Sequence, residues 1–291
     1  APAPEPVTIV AFGSSTTAVR GSTTIYARLL QEELRNVRII NAGVPGNTTE
    51  LARQRFEQDV LRHQPQIVII QLGINDAAVD VWKTPPATGP RVSLERYEAN
   101  LRHFVQTLKS KNARVVLMTP NPLRWTPKLK ELYGKPPYQP ENLDGFNAPL
   151  GSYCESVRRV ARDEGAEFLD VQQAFVEQAQ KRGVTVDTLL SDGMHPNDDG
   201  HRIEADLLRE RILALAKTHG LPITEGPPPP KLGAGKSAPP PRTAHRPMRP
   251  AWPPSEPRVF PSLAGPSFVT LKKPSRHPDS ANYHPPDRFP H

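Results

Sequence analysis

Four short clusters carry the residue types that acyl transfer requires: "GSS" at 13 to 15, "GVPGNTT" at 43 to 49, "LGIND" at 72 to 76 and "SDGMHPND" at 191 to 198. Covalent attack on an ester needs a nucleophile, a base to take its proton, a carboxylate to orient the base, and N–H donors for the oxyanion. Ser15 is the candidate nucleophile, with Ser14 beside it as a rival; His195 is the candidate base and Asp192 its orienter. For the oxyanion, the candidates are the backbone N–H groups of Ser15 and Gly46 and the side-chain amide of Asn75. A glycine lets main chain come close to a substrate, and an asparagine supplies a neutral donor.

Each cluster also has a plainer reading. "GSSTT" could be a turn with helix-capping hydroxyls, Asp192 and His195 a loop ion pair, and Asn75 a cap. Asp76 is read as a cap of the turn that follows it, and Gly43 as a turn glycine. His195, Asp198, Asp199 and His201 resemble a metal-binding set, but the two aspartates fall where a helix start favours acidic residues. Neither a metal nor any other cofactor is expected.

These clusters need a scaffold, and the alternation of the chain predicts one. Short β-rich runs at 7 to 12, 38 to 42, 67 to 72, 114 to 119 and 167 to 171 read as strands, separated by helical patterns near 22 to 35, 48 to 63, 93 to 111 and 147 to 164. A last helix is expected near 198 to 217. Val, Ile and Phe at the density of "VTIVAF" fit a parallel sheet covered on both faces. Right-handed crossovers then give an α/β fold, a three-layer α/β/α sandwich on a five-stranded parallel sheet. Ligands in such sheets bind at the carboxyl ends of the strands, where the four clusters are read. Two long segments, "VWKTPPATGPR" after the third strand and "PNPLRWTPKLKELYGKPPYQPENLDGF" after the fourth, should overhang the same end. Trp82, Trp125, Tyr133 and Tyr138 in them either form an aromatic wall or pack the loops onto the domain.

In this order the four clusters resemble the blocks of the GDSL, or SGNH, hydrolase superfamily over about residues 7 to 217. Its Ser, Gly, Asn and His would be Ser15, Gly46, Asn75 and His195, and its Asp-x-x-His block matches Asp192 and His195. The resemblance implies a flavodoxin-like SGNH hydrolase fold and a Ser15–His195–Asp192 triad, and it selects Ser15 over Ser14. One position departs: the family has Gly-Asp-Ser in the first block, whereas Ser14 stands here in place of the aspartate.

Composition divides the chain. Of the 66 residues from Gly226 to His291, 19 are Pro, with 10 Lys and Arg against 3 Asp and Glu. The whole net charge of +7 therefore sits in this stretch. A Pro-rich segment without apolar periodicity cannot bury enough surface to offset chain entropy. The expected organisation is a hydrolase domain over 5–222 and a basic disordered tail over 226–291, solvated or in contact with anionic polymer. Nucleic acid is not an expected partner, because the domain itself balances 27 charges of each sign. Cys154, the one cysteine, reads as a buried thiol. No apolar run reaches the ~18 residues of a membrane span. The opening "APAPEP" fits a mature exported form, so a secreted or periplasmic location is the expectation.

The leading functional reading is a serine esterase acting through an acyl-enzyme, most simply a carbohydrate O-acetylesterase, since sugar faces stack on aromatic rings. The family's lysophospholipase and thioesterase activities are the alternative, although the long loops look too polar for an apolar groove. A non-catalytic glycan-binding or wall-attached relative is the other, with Ser14 as its sole support. No Gly-x-Ser-x-Gly occurs, which disfavours the α/β-hydrolase pattern.

Overall fold

The computed structural model describes residues 5–226. The tail expected over 226–291 lies, beyond Gly226, outside the described residues. In chain order the strands are β1 (Val7–Gly13), β2 (Leu34–Arg35), β3 (Val37–Gly43), β4 (Ile67–Gln71), β5 (Arg114–Met118), β6 (Glu167–Leu169) and β7 (Thr224–Glu225). The helices are α1 (Tyr26–Glu33), α2 (Thr49–Asp59), α3 (Ile74–Ala77), α4 (Leu94–Ser110), α5 (Pro127–Tyr133), α6 (Leu150–Glu164), α7 (Val171–Arg182) and α8 (Asp198–His219).

Five strands form one parallel sheet in the order β3-β1-β4-β5-β6. All seven residues of β1 and all five of β4 are buried, as continuous apolar runs demand. Their side chains alternate between two cores. Val10 and Phe12 join α2, α4 and α6 on one face, and Ile9 and Ala11 join α1, α7 and α8 on the other. On the first face Phe12, Phe56 and Phe104 meet with ring centroids 4.8 to 5.6 Å apart. Each buried phenylalanine there contributes about 1.5–3 kcal/mol relative to exposure. The chain runs from β1 to β3 on one side of the sheet and then crosses to β4 on the other. That reversal marks the crevice where such sheets bind ligands.

Three features depart from the expected elements. The fifth strand ends at Leu169 rather than 171, because Asp170 accepts from the Gln173 N–H and caps α7, a helix the apolar pattern left unassigned. The helix expected from 22 begins only at Tyr26 and gives way to β2, which pairs antiparallel with β7. The expected boundary at 222 therefore falls short of the ordered structure: Thr224 and Glu225 are in a sheet and the Gly226 N–H donates to Glu33 O at 2.7 Å. Cys154 is buried in the core, and burial pushes its thiol up to about 12.

Candidate active site

The turn after β1 is held by contacts that admit only glycine beneath it. A Cβ on Gly13 would lie 2.1 Å from Thr17 Oγ1, and one on Gly43 would lie 2.4 Å from the Ala18 N. The turn thus rests directly on the ends of β1 and β3, so Gly43 serves close packing and not a turn conformation. Ser14 is buried, and its carbonyl accepts from the Thr17 and Ala18 N–H groups at 3.2 and 3.0 Å. Ser15 faces outward from the turn. Beneath it, Thr16 donates to Gln71, which donates in turn to the fully buried Glu204, itself 2.9 Å from His201 Nδ1. His201 therefore belongs to the interior and not to a metal set. Its neighbours in sequence also serve locally: Asp198 accepts from the Thr24 N–H at 2.7 Å, and Asp199 lies 3.7 Å from Arg182.

The loop before α8 brings the histidine to the serine. His195 Nε2 lies 2.9 Å from Ser15 Oγ, and its Nδ1 lies 2.9 and 3.0 Å from the two oxygens of Asp192. The Asp192 Oδ1 also accepts from the Met194 and His195 N–H groups, and Arg20 donates to Oδ2 at 3.2 Å. Partial burial pushes the Asp192 carboxyl up, but the hydrogen bonds from His195 and the neighbouring N–H groups outweigh it and hold the group well below the usual range. The loop itself is anchored from the segment after β5: Asn121 donates to Met194 O at 2.9 Å, and the Arg124 N–H donates to Gly193 O at 2.8 Å.

The third group of residues comes from the ends of β3 and β4. Gly46 has φ +77°, the left-handed region that a side chain would strain, with open space where a Cβ would be. Asn75 lies in α3; its Nδ2 donates to Asn47 O at 3.1 Å, and its Oδ1 accepts from Arg91 at 3.3 Å. No partner is found among the described residues for the N–H of Ser15 or of Gly46. Ser15, Gly46, Asn75 and His195 all line one cavity of about 350 Å³. Asp76 does not cap its own turn. Its Oδ1 accepts from the Thr49 N–H and Oγ1 at 2.8 and 2.6 Å, so it caps α2 from across the site.

The cavity wall is mainly apolar, made by Ile74, Leu123, Tyr133, Phe146, Leu150 and Met194, with Arg20 and Arg91 at its polar edge. Of the four aromatics in the long loops, Tyr133 and Tyr138 line the cavity. Trp125 instead stacks on Phe146 at 4.6 Å and packs its loop, while Trp82 is 48% exposed and does not reach the cavity wall. The loops that looked too polar for an apolar recess thus supply one. Four residues that motif reading passed over also tie the site together. Besides Arg20 and Arg91, buried Asp80 grips Arg91, and Arg55 donates to Gly13 O, Ala42 O and Asn47 Oδ1 while covering the Phe12 ring at 4.6 Å. None of the four carried a signal of its own in the sequence: Arg55, for one, shares its helix with Arg53.

Residues 11–203 match the GDSL-like lipase/acylhydrolase family model. The chain is 31% identical over 206 residues to an uncharacterized lipoprotein of Bacillus subtilis, covering 66% of this chain and 82% of that one. It is 30% identical over 172 residues to an acetylxylan esterase of Geobacillus stearothermophilus (58% and 69%). It is also 30% identical over 201 residues to a mouse isoamyl acetate-hydrolyzing esterase 1 homolog (66% and 76%). A crystal structure of an acetylxylan esterase from Geobacillus stearothermophilus superposes with a TM-score of 0.56 at 25% identity, covering 72% of this chain and 94% of that one. No helix among the described residues is long and apolar enough to cross a membrane. With two thirds of its length matched to one family model and its sheet laid out as in that family's esterases, the chain belongs to the GDSL-like lipase/acylhydrolase family of ester hydrolases.

Proposed function

We propose that the protein hydrolyses carboxylic esters through an acyl-enzyme on Ser15. The supporting observation is the line Ser15 Oγ, His195 Nε2, His195 Nδ1, Asp192, with contacts of 2.9 Å at each joint. In this reading His195 takes the Ser15 proton as Oγ attacks the ester carbonyl, and Asp192 holds the imidazole with its free nitrogen toward the serine. The oxyanion is met by the Ser15 and Gly46 N–H groups and the Asn75 amide. His195 then gives its proton to the departing alcohol. A water that His195 deprotonates attacks the acyl-enzyme and returns the serine. No cofactor is invoked.

Acetate is the proposed acyl group, since the names of two relatives specify acetyl esters of quite different alcohols. The first reading of the alcohol is a carbohydrate, with Tyr133 and Tyr138 as faces for a sugar ring. The apolar wall of Ile74, Leu123, Phe146 and Leu150 favours a second, a branched or aromatic alcohol. An exported location remains part of the proposal, supported by the lipoprotein relative. Hydrolysis of p-nitrophenyl acetate by wild type and by Ser15→Ala tests the mechanism. Activity that survives Ser15→Ala, with the background rate subtracted, overturns it. Acetylated xylooligosaccharides against isoamyl and benzyl acetate then decide the alcohol by kcat/KM.

A further inference from the structure

We propose that Arg91, gripped by Asp80, is the positioning residue that fixes the amide of Asn75 with its N–H groups toward the reacting carbonyl. The inference rests on the esterase reading above. A primary amide is nearly symmetric in shape, and a half-turn about its last bond exchanges a donor for an acceptor. At an oxyanion site that exchange matters, because a carbonyl oxygen in place of N–H repels the developing charge.

The surroundings of Asn75 admit only one of the two orientations. Its Oδ1 accepts from Arg91 Nη1 at 3.3 Å, and its Nδ2 donates to Asn47 O at 3.1 Å. A half-turn would set NH₂ against a guanidinium and a carbonyl oxygen against a carbonyl oxygen, turning both contacts repulsive. One N–H of Nδ2 is used by Asn47, which leaves the second for the cavity that Ser15 shares.

Arg91 can serve as a fixed post because it is itself immobilised. Its Nε and Nη2 donate to Asp80 at 2.7 to 3.2 Å in a two-pronged pair, and Asp80 is buried. Lys83 adds a second cation at 2.7 Å. Burial pushes the Asp80 carboxyl up, but Arg91 and Lys83 outweigh it and keep the group below its ordinary range. The backbone is tied as well: the Arg91 and Val92 N–H groups donate to Ala78 O and Asp76 O, at the exit of the helix that carries Asn75. The long segment after β4 is thus a strap that returns to the oxyanion residue it left.

The test is a double-mutant cycle on p-nitrophenyl acetate with Arg91→Ala, Asn75→Ala and the pair. Arg91→Ala should lower kcat by roughly 10- to 100-fold, the cost typical of losing an outer partner of a catalytic group, with KM nearly unchanged. Added to Asn75→Ala it should cost nothing further, because the amide it holds is already gone. Multiplying effects would show that Arg91 acts independently, and a rise in KM at constant kcat would make it a substrate contact; either overturns the proposal. Arg91→Lys covers the case of a destabilised alanine variant. A point charge keeps the ion pair with Asp80 but cannot span Asp80 and Asn75 together, so kcat should fall while the melting temperature holds. Wild-type kcat in Arg91→Lys would equally overturn it. Failure of the esterase reading itself would look different, as Ser15-independent turnover in the wild type.

Discussion

Asp76→Asn isolates a buried carboxylate that the chemistry does not use. Asp76 has no solvent exposure, its Oδ1 is met only by neutral Thr49 donors, and its Oδ2 has no partner among the described residues. Burial pushes its carboxyl up to about 6 from 3.8, with the Thr49 hydrogen bonds only partly offsetting. A folded-state value above the unfolded one means that the native protein binds more protons between the two. Stability therefore falls as pH rises through that window, the reverse of a salt-bridged aspartate. Two units correspond to roughly 3 kcal/mol in full, of which about 2 kcal/mol is crossed between pH 4.5 and 8. Asparagine keeps an oxygen for the Thr49 donors and has no charge to bury. Urea unfolding of both proteins across that range should show the variant gaining on wild type by about 2 kcal/mol from acid to neutral pH. A stability difference that stays flat, or that narrows with rising pH, would refute the argument.

Two further substitutions separate roles within the site. Asn75→Ala should lower kcat by about 10²- to 10³-fold with little change in KM, and Asn75→Asp should be at least as harmful, because it aims negative charge at the oxyanion. An active Asp variant beside an unstable Ala variant would reduce Asn75 to a cap. Arg20→Gln removes a guanidinium 3.2 Å from the Asp192 carboxylate. If that contact steadies Asp192 against His195, kcat on p-nitrophenyl acetate should fall by about 10-fold with KM nearly unchanged. An unchanged kcat would assign Arg20 to loop packing alone.

The sheet was legible because β1 and β4 are dense in Val, Ile and Phe, with Thr8 and Gln71 the polar exceptions, a pattern that burial on both faces explains. The candidate site was legible because Ser15, His195 and Asp192 are the residue types that acyl transfer would use, and the structure brings them within 2.9 to 3.0 Å of one another in a line. What stayed hidden depends on partners far apart in the chain. Arg20 meets Asp192 across 172 positions and Arg91 meets Asp80 across 11, and before folding each is simply a charged loop residue. Helix α7 was hidden for another reason. Its buried positions Val171, Phe175 and Ala179 repeat every four residues, but β-branched Val171 lies two residues past Leu169 and was absorbed into the strand. Asp76 was assigned a cap, correctly in kind and wrongly in place, since only the parallel pairing of the sheet sets α3 beside the start of α2.

Three aspartates around one cavity show how neighbours divide the work of a single residue type. Asp192 has an imidazole, two backbone N–H groups and a guanidinium, so it stays charged and can hold His195 in one orientation. Asp80 is also shielded from solvent, though less deeply than Asp76, and has Arg91 and Lys83, so its charge is satisfied and becomes a rigid anchor. Asp76 has hydroxyl and amide donors alone, and burial dominates. As pH falls, Asp76 is thus the first of the three to take a proton. Protonation also leaves its Oδ1 able to accept from Thr49, so the link between α2 and α3 survives, and with it the spacing of Gly46 and Asn75.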